Sequence, residues 1–148
     1  MTAVATVYLV ACVGRKRPAP TRAEALYDSP LFAKCARLAR LRADKWFILS
    51  AKYGLVSPEA VIAPYDETLN NMGVSQRRAW TGGVCRQLEQ VTSPGDIVVF
   101  LAGSKYREGV IPELLRRGCR VEAPMKGLRI GEQLQWLDGQ ARADGLAE

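Results

Sequence analysis

The sequence predicts a single three-layer α/β domain with a mostly parallel central sheet of about four to five strands. Three observations carry that expectation. Apolar runs rich in Val and Ile alternate with amphipathic stretches from one end of the chain to the other. A length of 148 residues suits one compact core, so residues 1–148 are read as one domain. No repeat, linker or low-complexity tract divides the chain. Strands that alternate with helices imply right-handed crossovers, which bury a parallel sheet between helical layers.

The elements follow in order. Thr6 to Val13 is the first apolar run and the first expected strand. Ser29 to Arg42 reads as a helix, with Ser29 as N-cap and Pro30 at the first helical position, where a missing N–H costs nothing. Trp46 to Ser50 is the second strand, and Ser75 to Val91 the second helix. Asp96 to Ala102 is the third strand, followed by a helix from Tyr106 to Arg117 that Gly118 ends. Cys119 to Ala123 is the fourth strand, and Ile130 to Ala143 closes the series as a helix.

With 48% apolar and 24% charged residues, the composition is that of a globular chain. The net charge of +6, from 21 Lys and Arg against 15 Asp and Glu, favours an anionic partner such as nucleic acid or a nucleotide. The sequence contains no histidine, which removes the Ser-His-Asp triad, most zinc hydrolase sites and the usual neutral-pH proton shuttle. The four cysteines, Cys12, Cys35, Cys85 and Cys119, are widely separated and form no C-x-x-C pair. No metal and no cofactor are therefore expected. The first apolar run is too short to cross a bilayer and follows no basic segment, so a cytoplasmic protein without membrane contact is expected. Trp80 and Trp136 suit core packing and a dimer interface equally, which leaves the oligomeric state unset.

In a parallel α/β sheet the ligand lies beyond the carboxyl ends of the strands. The expected strand exits read "ACVGRKRPAP", "LSAKYG", "LAGSKYRE" and "APMKGL", each with glycine and lysine just past the apolar run. Loops are rich in such residues for turn chemistry alone, but four of them at one edge point to a shared polar pocket. At the first exit, Gly14 and Lys16 offer backbone N–H groups and positive charge to a phosphate, although the spacing is not that of a Walker loop. Cys12 is read as a strand-end core residue or, with less support, a nucleophile, since no histidine is present to activate it.

Lys52 is either an anion-binding charge or, if burial strips water from its amine, a nucleophile. Tyr53 and Tyr106 are placed to stack on a base or hydrogen-bond a ligand, with Gly103 and Ser104 beside the latter. Asp66, next to Tyr65 in "VIAPYDETL", is the best-placed carboxylate: it either caps a short helix, as Thr68 also can, or acts on water or on an oxocarbenium-like centre. On the helix beginning near Tyr27 and Ser29, Lys34, Arg37 and Arg40 recur at three-residue spacing opposite Leu31, Phe32, Cys35, Leu38 and Ala39. That basic face is either solvated or a contact for a nucleic-acid backbone.

The segments "ACVGRK", "ALYDSPLF", "ILSAKYGLVSPEAVIAPYDETL", "FLAGSKYRE" and "GLRIGEQLQWL" together resemble a family of small bacterial and phage domains of unknown function. That family is distantly similar to the YaaA peroxide-stress proteins and to the carboxy-terminal catalytic region of archaeosine synthase. The resemblance implies nucleic-acid or nucleobase chemistry, and its motif residues fall on Cys12, Lys16, Ser29, Ser50, Lys52, Tyr53, Pro64, Tyr65 and Asp66. Two departures stand out: Ala11 occupies the place of the usual serine before the motif cysteine, and Arg15 follows Gly14. The sequence thus leads to recognition of a nucleotide or nucleic-acid base, with metal-free chemistry at a glycosidic bond or modified base if the protein is an enzyme. A noncatalytic DNA-binding protection module and a small nucleotide hydrolase are the alternatives.

Overall fold

The computed structural model describes residues 4–11 and 14–145. Its elements run β1 (Thr6–Val10), β2 (Thr21–Arg22), α1 (Ala23–Leu26), α2 (Pro30–Arg42), β3 (Lys45–Ser50), β4 (Gly54–Val56) and β5 (Val61–Ile62). A single 3-10 turn at Leu69–Asn71 precedes α3 (Val74–Glu89), β6 (Ile97–Leu101), α4 (Ser104–Arg107), α5 (Val110–Arg116), β7 (Arg120–Glu122) and α6 (Ile130–Ala143).

Five strands form the main sheet in the order β4-β3-β1-β6-β7. The pairings of β1 with β3, β1 with β6 and β6 with β7 are parallel, while β4 returns antiparallel along β3. Side chains alternate across the sheet as a period of two requires. Tyr8 and Val10 of β1 join Ile48, Val99 and Leu101 against α2 and α6. Val7 and Leu9 join Leu49, Val98 and Phe100 against α3, α5 and Tyr106 of α4. Helices thus cover both faces, in the three-layer arrangement expected of a parallel sheet. A two-stranded antiparallel ribbon of β2 and β5 lies outside it.

The chain leaves β1 toward β3 on one side, then crosses back over β1 to β6 and continues outward to β7. The direction of winding reverses between β1 and β6, so a crevice opens at their carboxyl ends. The opposite edge is closed by carboxylates. Asp96 is buried and accepts from Ala5 N (3.1 Å) and Ser93 N (2.8 Å), and Asp44 accepts from Thr6 N (2.7 Å).

Two local differences from the sequence expectation have physical causes. The helix expected over Tyr106 to Arg117 is broken at Glu108 and Gly109, where a Cβ on Gly109 would come within 2.7 Å of the Thr81 side chain. Close packing of α3 against this jog requires glycine there. The segment after Ser50, expected only as a strand exit, folds straight back as β4, with Ser50 opposite Gly54. Among the described residues no helix is long and apolar enough to cross a membrane.

Candidate functional site

The exit of β3 is a tight turn built around one hydroxyl. Ser50 is fully buried, and its Oγ accepts from Lys52 N (3.2 Å) and Tyr53 N (3.0 Å), replacing ladder partners that the turn cannot supply. Trp80 of α3 donates its Nε1–H to the Ser50 carbonyl at 2.8 Å, fixing the turn from the other side. Gly54 completes the reversal at φ +75°, where a side chain is strained. The geometry leaves Lys52 exposed, with its ammonium 5.5 Å from the centre of the Tyr53 ring. An exposed amine is not stripped of water, so the anion-binding alternative for Lys52 is the one with a physical basis.

Three tyrosines converge beside this turn. Tyr53 meets Tyr65 edge to face at 5.7 Å, and Tyr65 meets Tyr27 at 6.4 Å. The hydroxyls of Tyr27 and Tyr65 share a hydrogen bond of 2.6 Å. Burial holds the Tyr27 hydroxyl far above the usual phenol range, reinforced by the neighbouring Tyr65. Burial likewise raises Tyr65, against opposing hydrogen bonds from Ser50 and Tyr27. Both groups are therefore neutral donors at ordinary pH. Lys16, held by an antiparallel bridge to Tyr27, sets its ammonium 4.3 Å from the Tyr65 ring centre and 5.7 Å from that of Tyr27.

Beyond Tyr65 the chain turns out through Asp66, Glu67 and Thr68. Thr68 caps the 3-10 turn, its Oγ1 accepting from Asn70 N at 3.2 Å, so capping does not consume Asp66. Asp66 instead lines a hollow of about 200 Å³ with Gly14, Lys16, Tyr65, Glu67, Thr68 and Tyr106.

At the exit of β6, Arg107 Nε donates to the Ala102 carbonyl (2.9 Å) and Tyr106 N to the Gly103 carbonyl (3.0 Å). These bonds turn α4 so that Tyr106 is buried, edge-on to Trp80 at 5.6 Å. Tyr106 also borders a second, larger cavity of about 550 Å³. Ala11, Leu101 and Ala102 form the floor of that cavity at the ends of β1 and β6, the point where the winding reverses. Leu31, Cys35, Met125 and Leu128 give it an apolar wall, while Gly103, Ser104, Lys105, Arg107 and Gln133 supply polar groups.

The expected site residues thus fall into groups. Gly14, Lys16, Tyr65, Asp66 and Tyr106 line the smaller hollow; Gly103, Ser104 and Tyr106 line the larger. Tyr27 and Ser50 are buried supports. Ser29 caps α2, accepting from Phe32 N at 3.2 Å, and lines neither cavity; Lys52 and Tyr53 also stand outside both linings. Cys12 lies outside the described residues.

The basic row on α2 is engaged within the chain. Lys34 pairs with Asp138 of α6 at 2.5 Å and Arg37 approaches the same carboxylate at 3.9 Å. Arg40 pairs with Glu24 at 3.1 Å and stacks 5.4 Å from the Trp46 ring centre. Sequence reasoning missed the contributions of Leu31, Asn70, Met125, Leu128 and Gln133. Met125 and Leu128 stood in the quoted exit "APMKGL" without being singled out; Leu31, Asn70 and Gln133 lie outside the exits and are brought in by topology alone.

The fold and the crevice define a three-layer α/β domain with a carboxyl-edge pocket at its switch point. The chain belongs to the Family of unknown function (DUF6884), whose profile matches residues 7–139, a span that runs from β1 into α6 and includes every residue placed in the two hollows. It is also similar to "Uncharacterized protein YfjM" of Bacillus subtilis (strain 168), 32% identical over 123 residues that cover 80% of this chain and 79% of the relative. No solved structure matches.

Proposed function

We propose that the protein recognises a nucleoside or nucleotide in the crevice at the ends of β1 and β6. The observation that carries this reading is Tyr106, which borders both the larger, apolar-walled cavity and the smaller one holding Lys16 and Asp66. A planar base matches the larger space, against the apolar wall of Leu31, Cys35, Met125 and Leu128. The sugar then sits beside Tyr106, with the Asp66 carboxylate and the Lys16 ammonium beyond it. The family's distant similarity to YaaA and archaeosine synthase, carried mainly by the cysteine and lysine segment "ACVGRK" at the first strand exit, supports the same chemical class, and a cytoplasmic location belongs with it.

If the bound ligand is turned over, the arrangement suits cleavage of the bond between sugar and base. The carbon–nitrogen bond breaks with its electron pair leaving on the base, and Asp66 offers negative charge to the cation that develops on the sugar. Water adds its oxygen to that carbon, and its proton balances the base, giving free sugar and protonated base. The test is binding and base release measured over a panel of nucleosides with the wild-type chain and with Asp66→Asn. Because Asp66 is exposed and caps no helix, this variant keeps its fold and nucleoside affinity but loses about a hundredfold or more in turnover. Absence of nucleoside binding by the folded wild-type chain removes the reading.

A further inference from the structure

We infer that a third hollow, on the α3 side of the crevice, receives the phosphates of the same ligand; this rests on the nucleoside reading above. The hollow, of about 300 Å³, is lined by Val74, Arg77, Arg78 and Thr81 of α3 and by Lys105, Glu108 and Gly109 at the junction of α4 and α5. Three cations face one carboxylate there. Among the described residues none of Arg77, Arg78 and Lys105 forms an ion pair, whereas Lys34 and Arg37 share Asp138 and Arg40 shares Glu24 with Arg22. Cations without an ion-pair partner therefore border the crevice on α3 and α4, in addition to Lys16 of the smaller hollow.

Lys105 decides the chemistry of the partner. It lines both this hollow and the 550 Å³ cavity, so a ligand seated in the crevice continues into the basic hollow without leaving the protein surface. The anionic continuation of a nucleoside is phosphate. Guanidinium groups at adjacent positions of one helix diverge by about a quarter turn, which suits successive phosphate groups rather than one. The shared chemistry is a run of phosphates, whether the polyphosphate of a mononucleotide or the backbone of a strand.

The test titrates the full chain with the four ribonucleosides, their 5′-triphosphates, and a mixed-sequence single strand of about ten nucleotides, each at low and moderate salt. The variant is Arg77→Ala with Arg78→Ala. The control, Lys45→Ala with Arg120→Ala, removes the same charge from exposed positions at the opposite sheet edge. Phosphate-bearing probes are expected to bind more tightly than nucleosides, and the Arg77/Arg78 variant to lose about tenfold or more for them alone. If the strand is the true source, its salt slope falls by about 1.4, roughly 0.7 per cation removed, and the triphosphates gain less. Equal losses in variant and control, or phosphates that add nothing to nucleoside affinity, overturn the inference and leave the base pocket standing. Phosphate binding that the variant abolishes, without any nucleoside binding, overturns the base pocket and leaves the anion site. No binding of any probe overturns both.

Discussion

Replacing Gly54 with alanine tests how the β3 exit is held. The residue has φ +75°, and a Cβ there would fall 2.5 Å from Gln87 Oε1. The left-handed backbone costs a non-glycine residue about 1–2 kcal/mol. Gln87 ends a flexible side chain and can swing away, but it then gives up both its bonds to β4, from Leu55 N to Oε1 (2.8 Å) and from Nε2 to Leu55 O (3.1 Å). At an exposed edge each is worth about 0.5 kcal/mol, the low end of the usual net value. The sum is about 2–3 kcal/mol, or about 5–10 °C in Tm for a chain of 148 residues. Gln87→Ala alone costs about 1 kcal/mol. In the double variant the clamp is lost only once, so urea denaturation should give a coupling of about 1 kcal/mol between the two sites. Strict additivity would show that the new methyl does not displace Gln87. A Gly54→Ala cost below about 0.5 kcal/mol would refute the assignment of the positive φ as the reason for glycine.

Other outcomes follow from the same geometry. Ser50→Ala leaves the amides of Lys52 and Tyr53 without their buried acceptor and should cost about 1–3 kcal/mol in urea denaturation while loosening the wall of the crevice; wild-type stability would contradict the role given to Oγ. Tyr27 and Tyr65 hold their protons more tightly folded than unfolded, so their contribution is fully present below about pH 10, the ordinary phenol value, and is lost as pH rises beyond it. Stability measured from neutral to strongly alkaline pH should therefore fall steeply above about pH 10 in the wild type and less steeply in Tyr27→Phe; parallel curves would sink that account.

The central strands were legible because β1, β3 and β6 are nearly continuous apolar runs, as burial on both faces demands. Ser29 and Pro30 announced α2 for equally local reasons. The edge strand β4 was not legible: it is three residues long, and its pairing depends on the turn around Ser50 and on Gln87, 32 positions from Leu55. The small hollow was half visible, since Lys16, Tyr65 and Asp66 carry chemistry in their side chains. The apolar wall was invisible, because nothing local distinguishes Leu31 or Met125 from any core residue. The basic row on α2 was legible only as charge, for a similar reason. Spacing displays its charge, but only the packing of α6 and α1 brings Asp138 and Glu24 to meet it.

The clamp on β4 has a consequence beyond stability. A sheet edge offers alternating N–H and C=O groups to any extended chain that drifts past, and that is how folded proteins begin to aggregate. Here the Gln87 amide already occupies both main-chain groups of Leu55, acting as a one-residue counterfeit of a neighbouring strand. The far edge, Arg120–Glu122, is short and bears a charge at each end. The sheet is thus blunted at both margins without closing into a barrel, by a side-chain amide on one edge and by shortness and charge on the other.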